Sequence, residues 1–465
     1  MLEPAEIVQR FLSAKRQVHP EVVAWIREQN DPGLVDRILR ETPEDVVVVS
    51  RGTIPSIRPE RDGTRFLADR FEVLEGAAGS SSPVTSVQDY VHYFRDRYTR
   101  LGGLIRARVR AMPIEALTRT SRYRGQECTI IGMVVEARTT TKGHRLIQFE
   151  DPTGVIAVLF NKNRPGFDES ERLVPDEVAG VRGKVSDEGS LFYGEQVFRP
   201  DVPVNHAPYV SKEPGRAVMI SDVHVGSNTF LPDAWSRFAD WLDESDEVEY
   251  LLIAGDLVDG IGVYPGQEHE LVIPNIDEQY AEFARMLRDL PSHLRIVVGP
   301  GNHDVVRGAE PQPAIPERFS SHLPTNCTLV ENPALVSLQG VRVLMYHGRA
   351  MDDLISLIPQ ATYDRPGEMM EEMLRRRHLA PSYGRRTPIA AAKSDRLVID
   401  PVPEVLLTGH VHIMGLCQYR GVLGVNAGAW QSQTSFQKQM NVNPTPARAV
   451  ALDLQTLVPE VYDFS

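Results

Sequence analysis

The sequence predicts an α/β protein whose α/β part is preceded by a small β-barrel and, at the N-terminus, by a short helical domain. In residues 1–45, apolar side chains recur at three- and four-residue spacing, as they do in amphipathic helices. In residues 115–205, runs of β-branched residues are separated by turn signals, which is typical of a small all-β unit. From about Arg216 onward, apolar strand-like runs alternate with helical stretches, which is the pattern of an α/β domain.

Composition limits the classes of function that fit. The chain has 465 residues and a formal net charge of −13, which argues against a broadly basic nucleic-acid coat but not against a local basic groove. Its cysteines, Cys128, Cys327 and Cys417, lie far apart, so we expect no disulfide framework and no structural zinc, and a reducing cytoplasm fits. We find no signal-peptide pattern and no apolar run near the roughly 20 residues that cross a bilayer. We therefore expect a cytoplasmic protein without membrane contact.

The N-terminal segment predicts a small helical domain followed by a linker. The stretches "PAEIVQRFLSAK" and "PEVVAWIREQN" have helical spacing, and "GLVDRILRET" indicates a third helix, so we assign residues 1–45 to this domain. Residues 46–85 lack periodicity and contain "EGAAGSSSP", which has the composition of a linker. The helical part could serve as a tethered protein-interaction module or as a solvated accessory domain without a defined role.

Residues 86–207 predict an OB-fold domain with a leading helix. The stretch "VQDYVHYFRDRYTRLGGLI" is helical in pattern, and Glu127 to Phe160 is a series of β-branched runs with turns at Lys142-Gly143 and at 151–154. Five or six short strands in fewer than a hundred residues favour a small barrel such as an OB fold over an unspecified β sandwich. OB folds often stack bases on aromatic residues, which here are few: Phe149, Phe160, Phe192 and Tyr193.

Residues 208–465 form the predicted α/β domain, and their polar residues concentrate where apolar runs end. Five runs, "RAVMIS", "EYLLIAG", "LRIVVGPG", "VRVLMYHG" and "EVLLTGH", each lead into ionisable or amide side chains. In α/β folds ligands gather at such strand ends. The side chains are Asp222, His224, Asp256, Asp259, Asn302, His303, Asp304, His347, His410 and His412.

These residue types in this order predict a metal site. Any one motif is weak, since "GNHD" is also a plausible turn and a lone His347 is more often structural. The full set of five, each after an apolar run, is hard to obtain by coincidence. Carboxylate, amide and imidazole ligands without cysteine suit a hard-to-borderline dication, with Mn²⁺ or Mg²⁺ favoured and Fe or Zn²⁺ also compatible. For the histidines outside the motifs we expect ordinary structural roles.

The ordered set resembles the calcineurin-like metallophosphoesterase family, which includes the Mre11 nucleases. The resemblance implies an α/β metallophosphoesterase fold, a two-sheet sandwich flanked by helices, with two metal ions about 3.5–4 Å apart. One metal would be held by Asp222, His224, Asp256 and His412, and the other by Asp256, Asn302, His347 and His410. Asp256 would then bridge both cations, and Asp259 would orient a ligand or its loop.

The same resemblance implies hydrolysis of a phosphoester by activated water. Two dications lower the pKa of a bound water, so that hydroxide can attack phosphorus at neutral pH. In the family the His of "GNHD" protonates the leaving oxygen, which makes His303 the candidate general acid, helped by Asp304.

Longer stretches resemble the small subunit of archaeal family D DNA polymerases. They are "GDLVDGIGVYPGQE", "YHGRAMDD", "SYGRRTPIAAAKSDRLVIDPVPEVLLTGHVH", "NAGAWQSQTSFQKQMNVNPTPA" and the upstream "TKGHRLIQFEDPTGVIAVLF". This resemblance covers roughly residues 88–465. It implies a relation to the B subunits of eukaryotic replicative polymerases, which have mostly lost the metal ligands, whereas every ligand position is filled here. It further implies an archaeal, nucleoid-associated protein with 3′→5′ exonuclease (proofreading) activity that forms a heterodimer with a large catalytic subunit and acts on primer-templates and single-stranded 3′ ends.

Two alternatives stay open at this point: a stand-alone Mre11-like nuclease or phosphodiesterase, and a non-catalytic scaffold subunit. The upstream barrel and the "YPGQ" loop count against the first, and the intact ligand positions count against the second. The sequence leaves open the physiological metal, the interface with the large subunit and direct contact with a sliding clamp. It also leaves open whether the OB domain guides DNA or docks protein.

Overall fold

A computed structural model of the chain describes residues 3–29, 34–42, 48–49, 70–79, 86–119, 121–189, 191–439 and 441–465. It divides the chain into two compact units, Met1–Leu67 and Ala68–Ser465, and each is described by itself. Among the helices in these described ranges, none is both long enough and apolar enough to cross a membrane.

The first unit is helical, as the spacing of its apolar residues predicts. Its helices pack around a small apolar core that includes Ile7, Phe11, Val22 and Ile26. A short parallel pairing of two strands completes the described part of this unit, and its second strand lies inside the segment predicted to be a linker. The elements are α1 (Pro4–Ser13), β1 (Gln17–Val18), α2 (Pro20–Gln29), α3 (Leu34–Glu41) and β2 (Val48–Val49).

The second unit begins with a strand that the sequence did not predict. Strand β3 (Phe71–Ala77) falls within residues 46–85, so the linker prediction is wrong for this stretch. It pairs antiparallel with β12 (Cys327–Leu338), and Phe71 and Val73 pack against the central core of the α/β part. A strand that is ordered by a partner more than 250 residues away leaves little local signal. The predicted linker residues 46–47, 50–69 and 80–85 lie outside the described part of the chain.

Five strands close into a barrel in the order β4-β5-β6-β8-β7. This confirms the predicted barrel and excludes the alternative of a sandwich, while the OB type stays a prediction. Alternate residues such as Ile147, Phe149, Val158 and Phe160 fill its interior. The elements of this region are α4 (Val87–Arg106), α5 (Ile114–Thr118), β4 (Glu127–Thr139), β5 (Arg145–Asp151), β6 (Gly154–Phe160), α6 (Phe167–Glu171), β7 (Val178–Val185) and β8 (Phe192–Phe198).

Within its described residues, 208–439 and 441–465, the α/β part contains ten further strands and six helices. The strands are β9 (Arg216–Ile220), β10 (Val248–Ala254), β11 (Arg295–Gly299), β12, β13 (Val341–Met345), β14 (Val405–Thr408), β15 (Gly415–Tyr419), β16 (Val422–Asn426), β17 (Arg448–Asp453) and β18 (Pro459–Asp463). The helices are α7 (Pro232–Glu244), α8 (Ile276–Arg288), α9 (Glu317–Ser320), α10 (Met351–Leu357), α11 (Pro366–Arg376) and α12 (Ser435–Gln439).

Strand β12 joins the two halves of the sheet. Its first residues pair in parallel with β11, and its last residues pair antiparallel with β13, in the order β15-β16-β14-β13-β12-β11-β10-β9-β17-β18. Side chains of both halves, such as Leu252 and Val343, share one buried cluster. Helices α7 and α8 cover one half, and α10 and α11 cover the other. The predicted strand–helix alternation is therefore present, and the α/β class is confirmed.

Buried ion pairs tie the barrel region to the α/β part. Arg97 of α4 is 0% exposed and donates from Nε to Asp395 Oδ2 at 2.6 Å, and His378 Nε2 lies 2.8 Å from the same oxygen. Beside the barrel, Glu177 accepts from Arg376 Nε of α11 at 2.8 Å. A buried charge is tolerated only when it is paired and hydrogen-bonded, so each of these residues depends on its partner.

We predict that Arg97→Met lowers the free energy of unfolding by about 3–5 kcal/mol, because it leaves the Asp395 carboxylate buried without its cation. Denaturant titration of the full chain measures the loss. The matched control is Arg318→Met, since Arg318 pairs with Asp277 at 2.7 Å but is 71% exposed, and its loss should cost about 0–1 kcal/mol. Equal effects of the two substitutions would contradict the role given to the buried pair.

Candidate functional site

The loops that follow β9, β10, β11, β13 and β14 meet around one cleft with a volume of about 390 Å³. The structure brings all ten predicted site residues to this place. Seven line the cleft: His224, Asp256, Asp259, Asn302, His303, His410 and His412. Asp222, His347 and Asp304 lie behind this surface and are 0%, 1% and 5% exposed.

One cluster in the cleft consists of Asp222, His224 and His412. A ligand atom from each lies within 4.8 Å of the other two. The Nε2 atoms of His224 and His412 face one another at 3.1 Å, and Asp222 Oδ1 lies 3.3 Å from His412 Nε2. Two imidazole nitrogens at this separation can share a single proton, or a cation can bind between them.

A second cluster consists of Asp256, His347 and His410, whose ligand atoms also lie within 4.8 Å of one another. His347 Nε2 is 3.1 Å from Asn302 Oδ1 and 3.3 Å from Asp256 Oδ2. The same Asp256 oxygen is 3.8 Å from His224 Nε2 in the first cluster. Asp256 therefore lies between the two clusters.

The backbone at the site adopts a conformation that is rare for residues with side chains. Five of the predicted ligands have φ between 49° and 70°, in the left-handed region: Asp222, His224, Asp256, His410 and His412. Each directly follows a buried strand or lies a few residues further on, so the left-handed turn changes the direction of the chain where the strand ends. Such strain is concentrated at functional sites in proteins.

Two glycines allow the loops to come this close. A Cβ atom on Gly409 would overlap Ser221 Oγ and Asp222 Oδ2, and a Cβ atom on Gly301 would overlap Asp256 Oδ1. These glycines directly precede His410 and Asn302 in the sequence. Their role is to provide space for the neighbouring carboxylates.

The carboxylates raise the pKa of two buried histidines of the site. Burial opposes protonation of His224, but its interactions with Asp222 and Asp259 raise its pKa to about 10. Burial likewise opposes protonation of His347, yet the charge of Asp256 raises its pKa to about 9. Conversely, burial would raise the pKa of Asp256, but the proximity of His347 lowers it well below its ordinary value. The ionised carboxylates thus favour positive charge at this part of the cleft.

Divalent cations fit this donor set. Asp222 Oδ1 is buried and makes no hydrogen bond with the described residues. Its contact with His412 Nε2 at 3.3 Å is an ion-pair distance without hydrogen-bond geometry. A cation would satisfy this oxygen together with the facing nitrogens of His224 and His412. Oxygen and imidazole donors without thiolate match hard-to-borderline dications.

Other groups hold the predicted histidines in place. Asp259 Oδ1 lies 3.1 Å from His224 Nδ1, so it contacts the ring of a predicted ligand. The Ala254 carbonyl accepts from His347 Nδ1 at 2.8 Å. Such contacts fix which ring nitrogen is available to a metal.

Two further orienting residues were missed by the sequence analysis. Asp352 Oδ2 lies 3.3 Å from His410 Nε2, and Gln437 Nε2 lies 2.7 Å from His412 Nδ1. Asp352 occurs in the first turn of α10, where an acidic residue is ordinary, and Gln437 lies in the short α12. The stretch "YHGRAMDD" was quoted for its resemblance, but nothing in it singled out Asp352.

The His303 ring is held in place by a different residue from the one that the sequence analysis named. Its Nδ1 donates to the Asp259 carbonyl at 2.8 Å, and burial lowers its pKa. Asp304 was expected to help His303, but its carboxylate accepts from Gly301 N at 2.8 Å and from Tyr280 OH at 2.9 Å. Burial, aided by the charge of Asp256, raises the pKa of Asp304 to about 7. Asp304 therefore shapes the loop, and the Asp259 backbone holds the His303 ring.

Comparison with known proteins places the chain among replication proteins. Residues 217–413 match a family described as the B subunit of DNA polymerase alpha/epsilon. Proteins named DNA polymerase II small subunit are similar over most of the chain. That of Halobacterium salinarum is 42% identical over 431 residues, which cover 91% of this chain and 84% of the relative. That of Methanothermobacter thermautotrophicus is 44% identical, with coverages of 82% and 81%, and that of Thermoplasma acidophilum is 35% identical, with coverages of 100% and 93%.

We predict that Gly409→Ala disrupts the cleft, because its methyl group would overlap Ser221 and Asp222. The expected result is a loss of stability of about 1–3 kcal/mol, as for overpacking elsewhere. Thermal unfolding of the full chain measures it. The control is Gly103→Ala within α4, where a Cβ atom meets nothing within 4 Å and helix propensity favours alanine. A Gly409→Ala protein as stable as the control variant would contradict the close packing described here.

Proposed function

The chain belongs to the family of archaeal DNA polymerase II (family D) small subunits and is thus part of a DNA polymerase complex, and from this premise we propose that its cleft is a metal-dependent nuclease site. The proposed reaction is the hydrolysis of a DNA phosphodiester at a 3′ end, which removes misincorporated nucleotides. The family assignment favours a component of a complex over a stand-alone nuclease.

The observation that carries this proposal is the convergence of two donor clusters on one open cleft. Asp256 lies between them, and Asp222 Oδ1 is buried without a hydrogen bond among the described residues. A scaffold without catalysis has no need of charged, strained residues in an exposed cleft, because each costs stability. The intact donor set therefore favours an enzyme over the scaffold alternative.

The proposed cofactor is a pair of divalent cations, with Mn²⁺ or Mg²⁺ favoured by the oxygen donors. One would be held by Asp222, His224, Asp256 and His412, and the other by Asp256, Asn302, His347 and His410. When bound, such a pair supplies Lewis acidity that favours attack of water on phosphorus. Asp259, Asp352 and Gln437 keep the histidine rings oriented, and Asp304 keeps the "GNHD" loop folded against Asp256.

The proposed general acid is His303. Because the Nδ1 proton is held by the Asp259 carbonyl, His303 would act in its imidazolium form and give the proton on Nε2 to the leaving oxygen. Burial lowers the pKa of His303, and the nearby charges of Asp256 and Asp259 favour the imidazolium form. His303 lines the cleft and lies beside His224, with ring centroids 4.7 Å apart. At this position His303 lies next to the two clusters of ligand atoms. A group that protonates the leaving oxygen has to lie close to the metals that bind the phosphate.

The proposed partners are a large catalytic subunit and a primer-template or single-stranded 3′ end. The net charge of −13 fits a small subunit whose partner supplies much of the grip on duplex DNA.

We predict that the full chain binds two Mn²⁺ ions and that Asp256→Asn loses at least one of them, because Asp256 is the donor shared by both clusters. Isothermal titration calorimetry on EDTA-treated protein measures the stoichiometry. The control is Asp233→Asn, an exposed change in the first turn of α7 that should leave the stoichiometry unchanged. If Asp256→Asn bound both ions as tightly as the unmodified chain, the assignment of Asp256 as the shared donor would be wrong.

We further predict that His303→Ala keeps metal binding but hydrolyses DNA about 10²–10⁴-fold more slowly, the usual worth of a general acid. The assay follows 5′-labelled primer-templates, matched and mismatched at the 3′ end, with Mn²⁺, with and without the large subunit. His322→Ala, an exposed histidine outside the cleft, is the matched control. Digestion by His303→Ala at the unmodified rate would remove His303 from its role, and no metal-dependent digestion by any preparation would favour the scaffold.

A further inference from the structure

The loop that follows Asp259 brings apolar side chains to the rim of the charged cleft. Residues Gly260 to Glu270 carry Ile261 and Val263, which are 49% and 39% exposed. Val263 and the neighbouring Tyr264 line the cleft itself. Val263 and Tyr264 therefore give the cleft an apolar border beside its ionisable residues.

This rim loop, Gly260 to Glu270, is held firmly against the site. Gln267 is 0% exposed, donates to the Asp259 carbonyl at 2.7 Å and accepts from Val263 N at 2.9 Å. At the start of the loop, buried Gln279 accepts from Gly260 N at 2.9 Å and donates back to its carbonyl at 3.1 Å. The same loop segment packs on the His303 backbone, since a Cβ atom on Gly260 would overlap the His303 carbonyl oxygen. The rim loop is therefore a fixed wall of the cleft.

Tyr264 presents its ring to the cleft. Its hydroxyl donates to Glu270 Oε2 at 2.9 Å, so the polar end of the side chain is already engaged within the loop. Its ring centroid lies 6.4 Å from that of His303, and the two planes are inclined by 61°. What remains for a ligand is a flat aromatic surface next to the proposed proton donor.

Cations line the same cleft on the side of His410. Arg349 lines it and is anchored through Nη1 to the Gly308 carbonyl at 3.0 Å, and Arg386 lines it beside Asp352 and Tyr363. A cleft lined by an aromatic ring and by guanidinium groups matches a nucleotide, which has a flat base and an anionic backbone.

We propose that Tyr264 is the platform on which the base of the terminal nucleotide stacks, so that the rim loop selects strand ends with an unpaired base. This inference rests on the proposed nuclease function, because the terminal nucleotide is positioned for hydrolysis beside His303. Stacking on an aromatic ring tolerates every base, since each base has a π face, which suits removal of any nucleotide. A base that is paired in a duplex is not free to leave its neighbour and reach the ring.

The test compares two single-stranded oligonucleotides of the same sequence, one ending in a 3′ deoxyadenosine and one ending in a 3′ abasic residue. We expect the complex with the large subunit to prefer the base-bearing end about tenfold in kcat/KM, within the range for one base stacked on an aromatic side chain. In Tyr264→Ala this ratio should fall to about one, and Tyr264→Phe should restore it because the ring is retained. Tyr209→Ala, a tyrosine that is 42% exposed and outside the cleft, should leave the ratio unchanged.

The outcomes separate this inference from the function on which it rests. A complex that digests both oligonucleotides without preference, or a Tyr264→Ala complex that keeps the preference, would overturn the stacking role. If Tyr264→Ala no longer bound the large subunit in gel filtration of the mixed proteins, the rim loop would belong to the interface between them, which also overturns the stacking role. A complex that digests neither oligonucleotide in Mn²⁺ would overturn the proposed nuclease function instead.

Discussion

The Asp256 carboxylate has to remain ionised although it is only 1% exposed, and the arrangement of the cleft follows from that requirement. Burying an isolated carboxylate is prohibitively unfavourable, so the neighbouring groups must supply positive charge and donors. His303 N donates to Asp256 Oδ1 at 2.8 Å, and His347 Nε2 lies 3.3 Å from Oδ2. These groups come from the loops after β11 and β13, which must therefore approach the loop after β10. At the end of the neighbouring strand β9, the buried carboxylate of Asp222 is likewise surrounded by histidines, His224 and His412.

Strained turns at the ends of the strands bring these loops close together, and the buried strands hold the turns in place. Asp222, Asp256 and His410 adopt left-handed φ values, which cost roughly 1–2 kcal/mol per residue for side chains other than glycine. The strands that precede these turns are buried on both faces, between the shared core and the covering helices. The packing free energy of the sheet thus offsets the strain of the turns. The side chains are therefore positioned before any ligand binds.

The sequence predicted the parts of this protein that follow local patterns. The strands that lead to Asp222, Asp256 and His347 have continuous apolar runs, so the residues after them could be recognised as a set. Contacts that depend on distant segments could not be recognised. Strand β3 is a strand only because β12 offers it a partner, and Asp352 approaches His410 from a helix whose own pattern explains an acidic residue.

Neighbours in sequence also proved misleading. Asp304 follows His303 directly, but adjacent side chains leave the backbone in different directions, and the carboxylate turns towards Tyr280. The group that holds the His303 ring is a backbone carbonyl, that of Asp259, and the residue type at a position carries no information about such a contact.

The buried ion pairs between the barrel region and the α/β part have a mechanical consequence. Arg97 reaches Asp395 from α4, and Glu177 at the edge of the barrel receives Arg376 from α11. Hinge motion between the two regions would separate these buried, hydrogen-bonded partners, so the ion pairs oppose such motion. A protein that binds the barrel therefore also fixes the orientation of the cleft, at a distance from the residues that line it.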